Sequence, residues 1–329
     1  MKKIVNNPND VVSEALKGME LAHPELKYSH GAEVISRRDK AKGKVGIISG
    51  GGSGHEPAHA GYVGRGMLDA AIAGNMFSSP GPDRIIEGIK EADSGAGVLM
   101  IIKNYSGDIM NFEMAADMAG MEDIRVEQVV VRDDVAVADS TYSTGRRGIA
   151  GTVFVHKIAG AAAESGKSLD EVKAVAQKAC DNVRSMGMAM TPCTLPAVGK
   201  PGFSLGEDEI EIGMGIHGEP GVLRTTPKAS KEVAEALLDK ILDDMDFSGS
   251  EVALMVNGLG GTPLMELYIL NNDVHSYLEA KGVKIYKTFV GNYMTAIEMS
   301  GCSISLLKLD DELKALLDAP CETPALIVT

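Results

Sequence analysis

Apolar residues along this chain come in short runs that stop at glycines, and segments with helical spacing lie between the runs. "KVGIISG" (44–50), "GVLMIIKN" (97–104) and "VEQVVV" (126–131) are β-rich and of strand length. Between them, "SPGPDRIIEGIKEAD" (79–93) and "DIMNFEMAADMAG" (108–120) carry apolar positions at helical spacing, and the prolines of the first suit a helix start. Strands alternating with helices predict a mostly parallel sheet flanked by helices on both faces. Two further helices are predicted at 148–165 and 169–186; "SLDE" opens the second, with Ser168 and Glu171 at capping-box spacing.

From Met188 the texture changes. "MAMTPCTLPAVGKPGFSLGEDEIEIGMGIHGEPG" is rich in Pro and Gly and has little helical period, which predicts a seam between two α/β domains, 1–187 and 188–329. Beyond it the pattern gives a helix at 229–245, a strand at 251–257, a helix at 263–281, strands at 283–290 and 303–309, and a short helix at 311–318. The second domain is expected to hold a mixed sheet.

Composition narrows the function. A net charge of −14 over 329 residues speaks against a nucleic-acid surface or an anionic membrane as partner. The apolar run "GVLMII" stops at Lys103, far short of the ~20 residues a membrane span needs. "MKKIVNNPND" has lysines with no apolar run behind them, so no secretory signal is predicted. Cys180, Cys193, Cys302 and Cys321 form no C-x-x-C pair and read as reduced thiols of a cytoplasmic protein.

Three motif matches fail on physical grounds. "HEPAH" (55–59) fits the zinc-protease pattern, but Pro57 is unsuited to the continuous helix that would align His55 and His59. "GMGIHG" (213–218) fits the dinucleotide pattern, yet "EPGVLRTTP" follows it where a helix N-terminus would have to meet a pyrophosphate. "SGKS" (165–168) resembles the end of a phosphate-binding loop, but the required glycine is Ala161 and the segment lies between helices.

Two strand ends survive this filter. One delivers Gly52, Ser53, Gly54 and His55; the other delivers Lys103 and Asp108. If the strands are parallel, these residues face one crevice, where open α/β sheets bind ligands. Bare glycines let backbone N–H groups approach a small ligand, and Lys103 favours an ionised Asp108 able to accept a proton. Blander readings stand beside this one: a histidine in a glycine loop is by default a turn residue, and Asp108 suits the N-cap of the helix after it. "GIHGEPG" (215–221) sets a second histidine, His217, among glycines. Glu56 and Glu219 either orient the two imidazoles or are merely solvated, and "NGLGGTP" (257–263) either lines the crevice or turns the chain.

Taken together, "ISGGGSGHEPAHAGYVGRGM", "IIKNYSGD", "DDVAV", "GRRGIAGT", "CTLPAVGKP", "GIHGEPG", "LLKLDDE" and "DAPCETPAL" resemble the dihydroxyacetone kinase family from about residue 2 to the end. The likeness is to the K subunit of the phosphotransferase-system-dependent enzyme; single-chain relatives carry a further nucleotide-binding domain, which is not expected for this chain. The resemblance implies that His217 adds to the ketone carbon of dihydroxyacetone to form a hemiaminal. It makes His55 and Asp108 an acid–base pair at the terminal hydroxyl, and adds substrate contacts at Gly52, Ser53, Gly54 and Lys103. It further implies no cofactor or metal on this chain, with ADP/ATP and magnesium on a separate L subunit that an M subunit recharges from phosphoenolpyruvate. A cytoplasmic homodimer is expected. The rival within the family is a dihydroxyacetone sensor that coactivates transcription; the rival outside it is a zinc hydrolase using "HEPAH".

Overall fold

The computed structural model describes residues 2–140 and 142–329. In chain order the first half contains α1 (Val11–Ala22), β1 (Leu26–Ser29), β2 (Val34–Arg37), β3 (Gly46–Ser53), β4 (Ala70–Met76), α2 (Pro82–Ala92), β5 (Val98–Lys103), α3 (Ser106–Gly120), β6 (Val126–Val131), α4 (Thr152–Glu164) and α5 (Leu169–Asn182). The rest contains β7 (Val183–Ala189), β8 (Ile210–Ile212), β9 (Leu223–Thr225), α6 (Ser230–Asp244), β10 (Glu251–Gly258), α7 (Leu264–Ala280), β11 (Lys284–Gly291), β12 (Gly301–Leu309) and α8 (Asp311–Asp318). A two-residue hairpin, Cys321–Glu322 with Ile327–Val328, ends the chain.

Two six-stranded sheets result. The first has the order β1-β2-β4-β3-β5-β6. Its β4, β3, β5 and β6 are parallel, and the β1–β2 hairpin adds an antiparallel edge. Two of the three strands predicted from apolar runs, β3 and β5, lie in its interior, and their burial on both faces explains why they read as continuous rather than alternating; the third, β6, is its half-buried edge. The second sheet, β11-β10-β12-β7-β8-β9, is mixed: β10 and β11 are parallel and the other neighbours antiparallel. The fold is therefore α/β with two helix-flanked sheets.

Three differences from the sequence reading matter. The helix expected to run to 186 ends at Asn182, and β7 takes over at Val183 to pair with β12. Residues 183–186 thus follow the neighbouring strand, a tertiary influence that local period does not report. The expected seam at 187/188 falls inside this strand. Finally, α1, β1, β2, β4, β8 and β9 carry no prediction; four are strands of three or four residues, and β4 is dominated by Ala and Gly. The capping box of α5 forms as its spacing predicts: Glu171 N–H donates to Ser168 Oγ, and Ser168 N–H to Glu171 Oε2.

One core cluster spans both halves. Ile47, Leu99, Ile101 and Phe154 share it with Met255, Leu307, Leu313 and Leu317. Burial at this joint presses the carboxyl end of the first sheet against loops of the second, which positions the site.

Candidate functional site

The site forms where β3 and β5 end. β3 continues through its glycines to Ser53 with every residue buried. At Gly51 a Cβ would overlap Lys103 Nζ, so the absent side chain is what lets the ammonium reach in. Lys103 closes β5 fully buried, and its Nζ donates to Asp108 Oδ2 at 3.4 Å. Asp108 sits in the first turn of α3, while Tyr105 holds the N-cap position. The capping alternative is thereby set aside: the carboxylate is buried beside Lys103.

His55 follows Gly54, whose φ is +108°, and is wholly buried. A segment of the second half, between β11 and β12, holds it. His55 Nδ1 lies 2.7 Å from the Thr295 carbonyl, the Thr295 and Ile297 amides donate to the His55 and Gly54 carbonyls, and Thr295 Oγ1 donates to the Glu56 carbonyl. Asn257 fixes that segment in turn: its Oδ1 accepts from the Tyr293 and Met294 amides, and its Nδ2 donates to the Met294 carbonyl. "NGLGGTP" therefore contributes an anchor behind the site rather than a wall of it.

His217 arrives from the loop between β8 and β9. Its backbone N–H donates to Glu219 Oε2 at 2.9 Å, and its Nδ1 to Glu219 Oε1 at 2.9 Å. Burial opposes ionisation of Glu219, but the hydrogen bond and charge of His217 outweigh it and hold the carboxyl down at about 2. Glu219 is thus an orienting group and not a solvated one. Glu56 instead accepts the Gly54 amide and does not touch an imidazole. Arg147, fully buried, ties the loop to the first half, with Nε on Asp134 Oδ2 and Nη2 on the Gly213 carbonyl, both at 2.8 Å. "DDVAV" and "GRRGIAGT" act as this scaffold, Asp133 also accepting the Ile149 and Gly151 amides.

The two histidines, 162 residues apart, meet with their Nε2 atoms at 3.0 Å. The Thr295 carbonyl requires a proton on His55 Nδ1, and the Glu219 carboxylate requires one on His217 Nδ1. Two bare Nε2 lone pairs would face each other, so the contact closes as a hydrogen bond when the pair shares one further proton. Burial, with smaller contributions from the His217 and Lys103 charges, pushes the His55 imidazole well below its ordinary value. Phe77 stacks on His55 and Tyr105 stands edge-on to His217, at ring-centroid distances of 5.1 and 4.6 Å.

All the residues singled out in the sequence lie in this region, although His55 bonds to His217 whereas Asp108 bonds to Lys103. Sequence reading missed Phe77, Tyr105, Arg147, Asn257 and Thr295. Tyr105, Arg147 and Asn257 lie inside the motifs "IIKNYSGD", "GRRGIAGT" and "NGLGGTP"; nothing local marks Thr295, whose contribution is a backbone carbonyl. Among the described residues no cluster of three or more His, Cys, Asp or Glu is placed to hold a metal. "HEPAH" forms no helix, and its His59 turns away to Ser49 Oγ at 3.2 Å. A cavity of about 620 Å³ lies behind the glycine loop against α1, and none of His55, Lys103, Asp108 or His217 lines it. The converging polar groups, rather than cavity size, define the site, since a small ligand needs little room.

The chain belongs to the dihydroxyacetone kinase family: the Dak1 domain model matches residues 17–325. The chain is similar to the dihydroxyacetone-binding subunit DhaK of PTS-dependent dihydroxyacetone kinase 1 from Listeria innocua, 57% identical over 95% of each chain. Among solved structures it resembles the dihydroxyacetone kinase operon co-activator Dha-DhaQ, with TM-score 0.91, 38% identity, and 96% of this chain and 98% of that one covered. It also resembles the dihydroxyacetone kinase of C. freundii in complex with AMP-PNP and Mg²⁺, with TM-score 0.92 and 36% identity; 99% of this chain matches 61% of that one. Among the described residues no helix is long and apolar enough to cross a membrane.

Proposed function

We propose that the chain is the dihydroxyacetone-binding subunit of a phosphotransferase-system-dependent dihydroxyacetone kinase, and that His217 holds the ketone covalently. The observation that carries this reading is the 3.0 Å contact between His217 Nε2 and His55 Nε2, with Glu219 fixing the opposite nitrogen of His217. A ring so held presents its free nitrogen as a nucleophile.

Capture then balances within the chain. The proton shared by the histidines passes to His55, freeing the His217 Nε2 lone pair to add to the carbonyl carbon. The carbonyl π pair moves to oxygen, which takes the proton from His55 Nε2. The substituted His217 ring is left cationic against the Glu219 carboxylate. Glycerol has no electrophilic carbon and is rejected. Asp108, hydrogen-bonded to Lys103, takes the proton of the terminal hydroxyl as its oxygen attacks a phosphoryl group carried by the nucleotide of a separate L subunit. The backbone of Gly52, Ser53 and Gly54 supplies the remaining substrate contacts. Phosphoryl transfer asks mainly for alignment and charge stabilisation, which suits a chain that holds only the acceptor. ADP/ATP and magnesium belong to the L subunit, recharged by an M subunit from phosphoenolpyruvate. A cytoplasmic homodimer is part of the same reading.

Mixing the chain with an L subunit and phosphorylated M subunit should give dihydroxyacetone phosphate. The likeness to a co-activator favours one other reading, a sensor that captures the ketone without passing it on. Capture without product, using partners active with another K subunit, would select the sensor. A sensor has no use for a proton acceptor at the terminal hydroxyl, and the buried Lys103–Asp108 pair supports the kinase.

A further inference from the structure

Phe77, just after β4, occupies a left-handed backbone conformation with φ 55°. Bulky residues rarely do so, and such strain persists where the surroundings demand it. Ile297, β-branched and from the other half, does the same with φ 57°. The two flank Gly54: the ideal Cβ position of Gly54 lies 2.7 Å from a Phe77 ring carbon and 3.2 Å from Ile297 Cγ1. Backbone bonds hold both in place, from the Phe77 amide to the Ser53 carbonyl at 2.9 Å and from the Ile297 amide to the Gly54 carbonyl at 2.7 Å.

What this conformation achieves is the placement of one ring against both histidines. Phe77 lies nearly parallel to His55, at 5.1 Å and 16°, and edge-on to His217, at 5.2 Å and 77°. The histidines themselves meet at 71°. A flat face resists rotation of a stacked imidazole, and an edge-to-face contact fixes a second ring relative to it. Tyr105 also stands edge-on to His217, at 4.6 Å and 80°.

We infer that Phe77 is a positioning and specificity-determining residue: it sets the angle at which the two imidazoles meet and walls the space beside His217, limiting capture to short-chain ketones. The inference rests on the covalent reading proposed above. The test titrates the full chain with dihydroxyacetone, and separately with a four-carbon ketose, each carbon-13-labelled at the carbonyl. The signal read is the tetrahedral carbon that appears when the ketone is captured.

Phe77→Leu keeps apolar bulk but loses the flat face. It should weaken dihydroxyacetone capture at least about fivefold, the scale of one aromatic pair, and raise capture of the four-carbon ketose relative to dihydroxyacetone. Phe77→Tyr should stay within about twofold of the wild type, since its ring stacks equally well. A merely structural residue would lower the folded fraction while leaving affinity and substrate ranking unchanged in what remains; that result overturns the inference, as does wild-type behaviour of Phe77→Leu. Should Phe77→Leu fail to fold, Phe77→Met puts the same question with a flexible chain and is read the same way. A wild-type chain without any tetrahedral signal overturns the covalent reading and this inference with it; a normal wild-type signal with an indifferent Phe77 overturns the inference alone.

Discussion

One five-residue segment, "HEPAH", supplies a histidine to each of two touching imidazole pairs, and the pairs are built differently. His55 meets His217 at a ring-centroid distance of 4.8 Å, and His59 meets His156 at 5.2 Å. In the first pair every ring nitrogen has a partner: the Thr295 carbonyl, the Glu219 carboxylate, and each other. In the second, only His59 Nδ1 has one, Ser49 Oγ; His59 Nε2 and both nitrogens of His156 have none. Burial lowers His59 well below the ordinary imidazole range and His156 to about 3. The second pair is held neutral and fills space. Proximity of two imidazoles is thus not what makes a site; partners aimed at particular nitrogens are, because they fix the tautomer and leave one lone pair for chemistry.

Substitutions can break this contrast. The largest effect is expected from His217→Ala, which should abolish the tetrahedral carbon signal from labelled dihydroxyacetone; an undiminished signal would remove His217 from the nucleophile role. Asp108→Asn should keep that signal but cut product formation by roughly 10²–10⁴-fold, the usual scale of general base catalysis. Near-normal turnover in the coupled assay with L and M subunits would exclude Asp108 as the base.

Glu219→Gln keeps the shape but loses the charge opposite the His217 ring, so capture should weaken roughly tenfold, as for one charge-assisted hydrogen bond. It should also alter acid stability. The folded carboxyl lies near 2, below its unfolded range near 4.3. Its contribution is therefore full above that range and is lost as pH falls toward 2; the sum is at most ~3 kcal/mol. Equilibrium unfolding of the variant between those values should show a flatter acid limb, and an identical limb would place the stabilising charge elsewhere.

The smallest effect on turnover should come from His156→Phe. Its signature lies in stability: below about 6.5 the unfolded chain binds a proton that buried His156 refuses down to about 3. Stability therefore falls with pH across that window. Removing the imidazole should take about one proton, or ~1.4 kcal/mol per pH unit, off the slope. Altered ketone capture by this variant would contradict the division between the two pairs.

Much of the parallel sheet was legible because β3 and β5 are buried on both faces, which forces continuous apolar runs, and β6, the half-buried edge beside them, is rich in valine. The helices between them were legible for the corresponding reason, a buried stripe repeating with the helical turn. Short edge strands were not, since three or four residues cannot display a period. β7 was masked by the helix before it: "VRSMGMA" becomes a strand because β12 lies ready to pair with it. Within the site, His55, Lys103 and Asp108 were readable as strand-end residues, and Gly52 and Gly54 as the bare backbone beside them. Phe77 and Thr295 were not, because one acts through an unusual backbone angle and the other through a carbonyl any residue possesses.

The α/β class, the places where strands give way to glycine loops, and the polar side chains at those exits are all written in short stretches of the chain. These follow from local rules of period, burial and backbone freedom that neighbours along the chain can express. Long-range packing alone sets His55 against His217 rather than Asp108, gives Glu219 a grip on one imidazole while Glu56 has none, and places His59 in the core. Such choices depend on contacts between distant residues, as in the His55–Thr295 bond that spans 240 positions. No short stretch of sequence carries them, because they arise when the core shared by the two halves brings separate loops to one point.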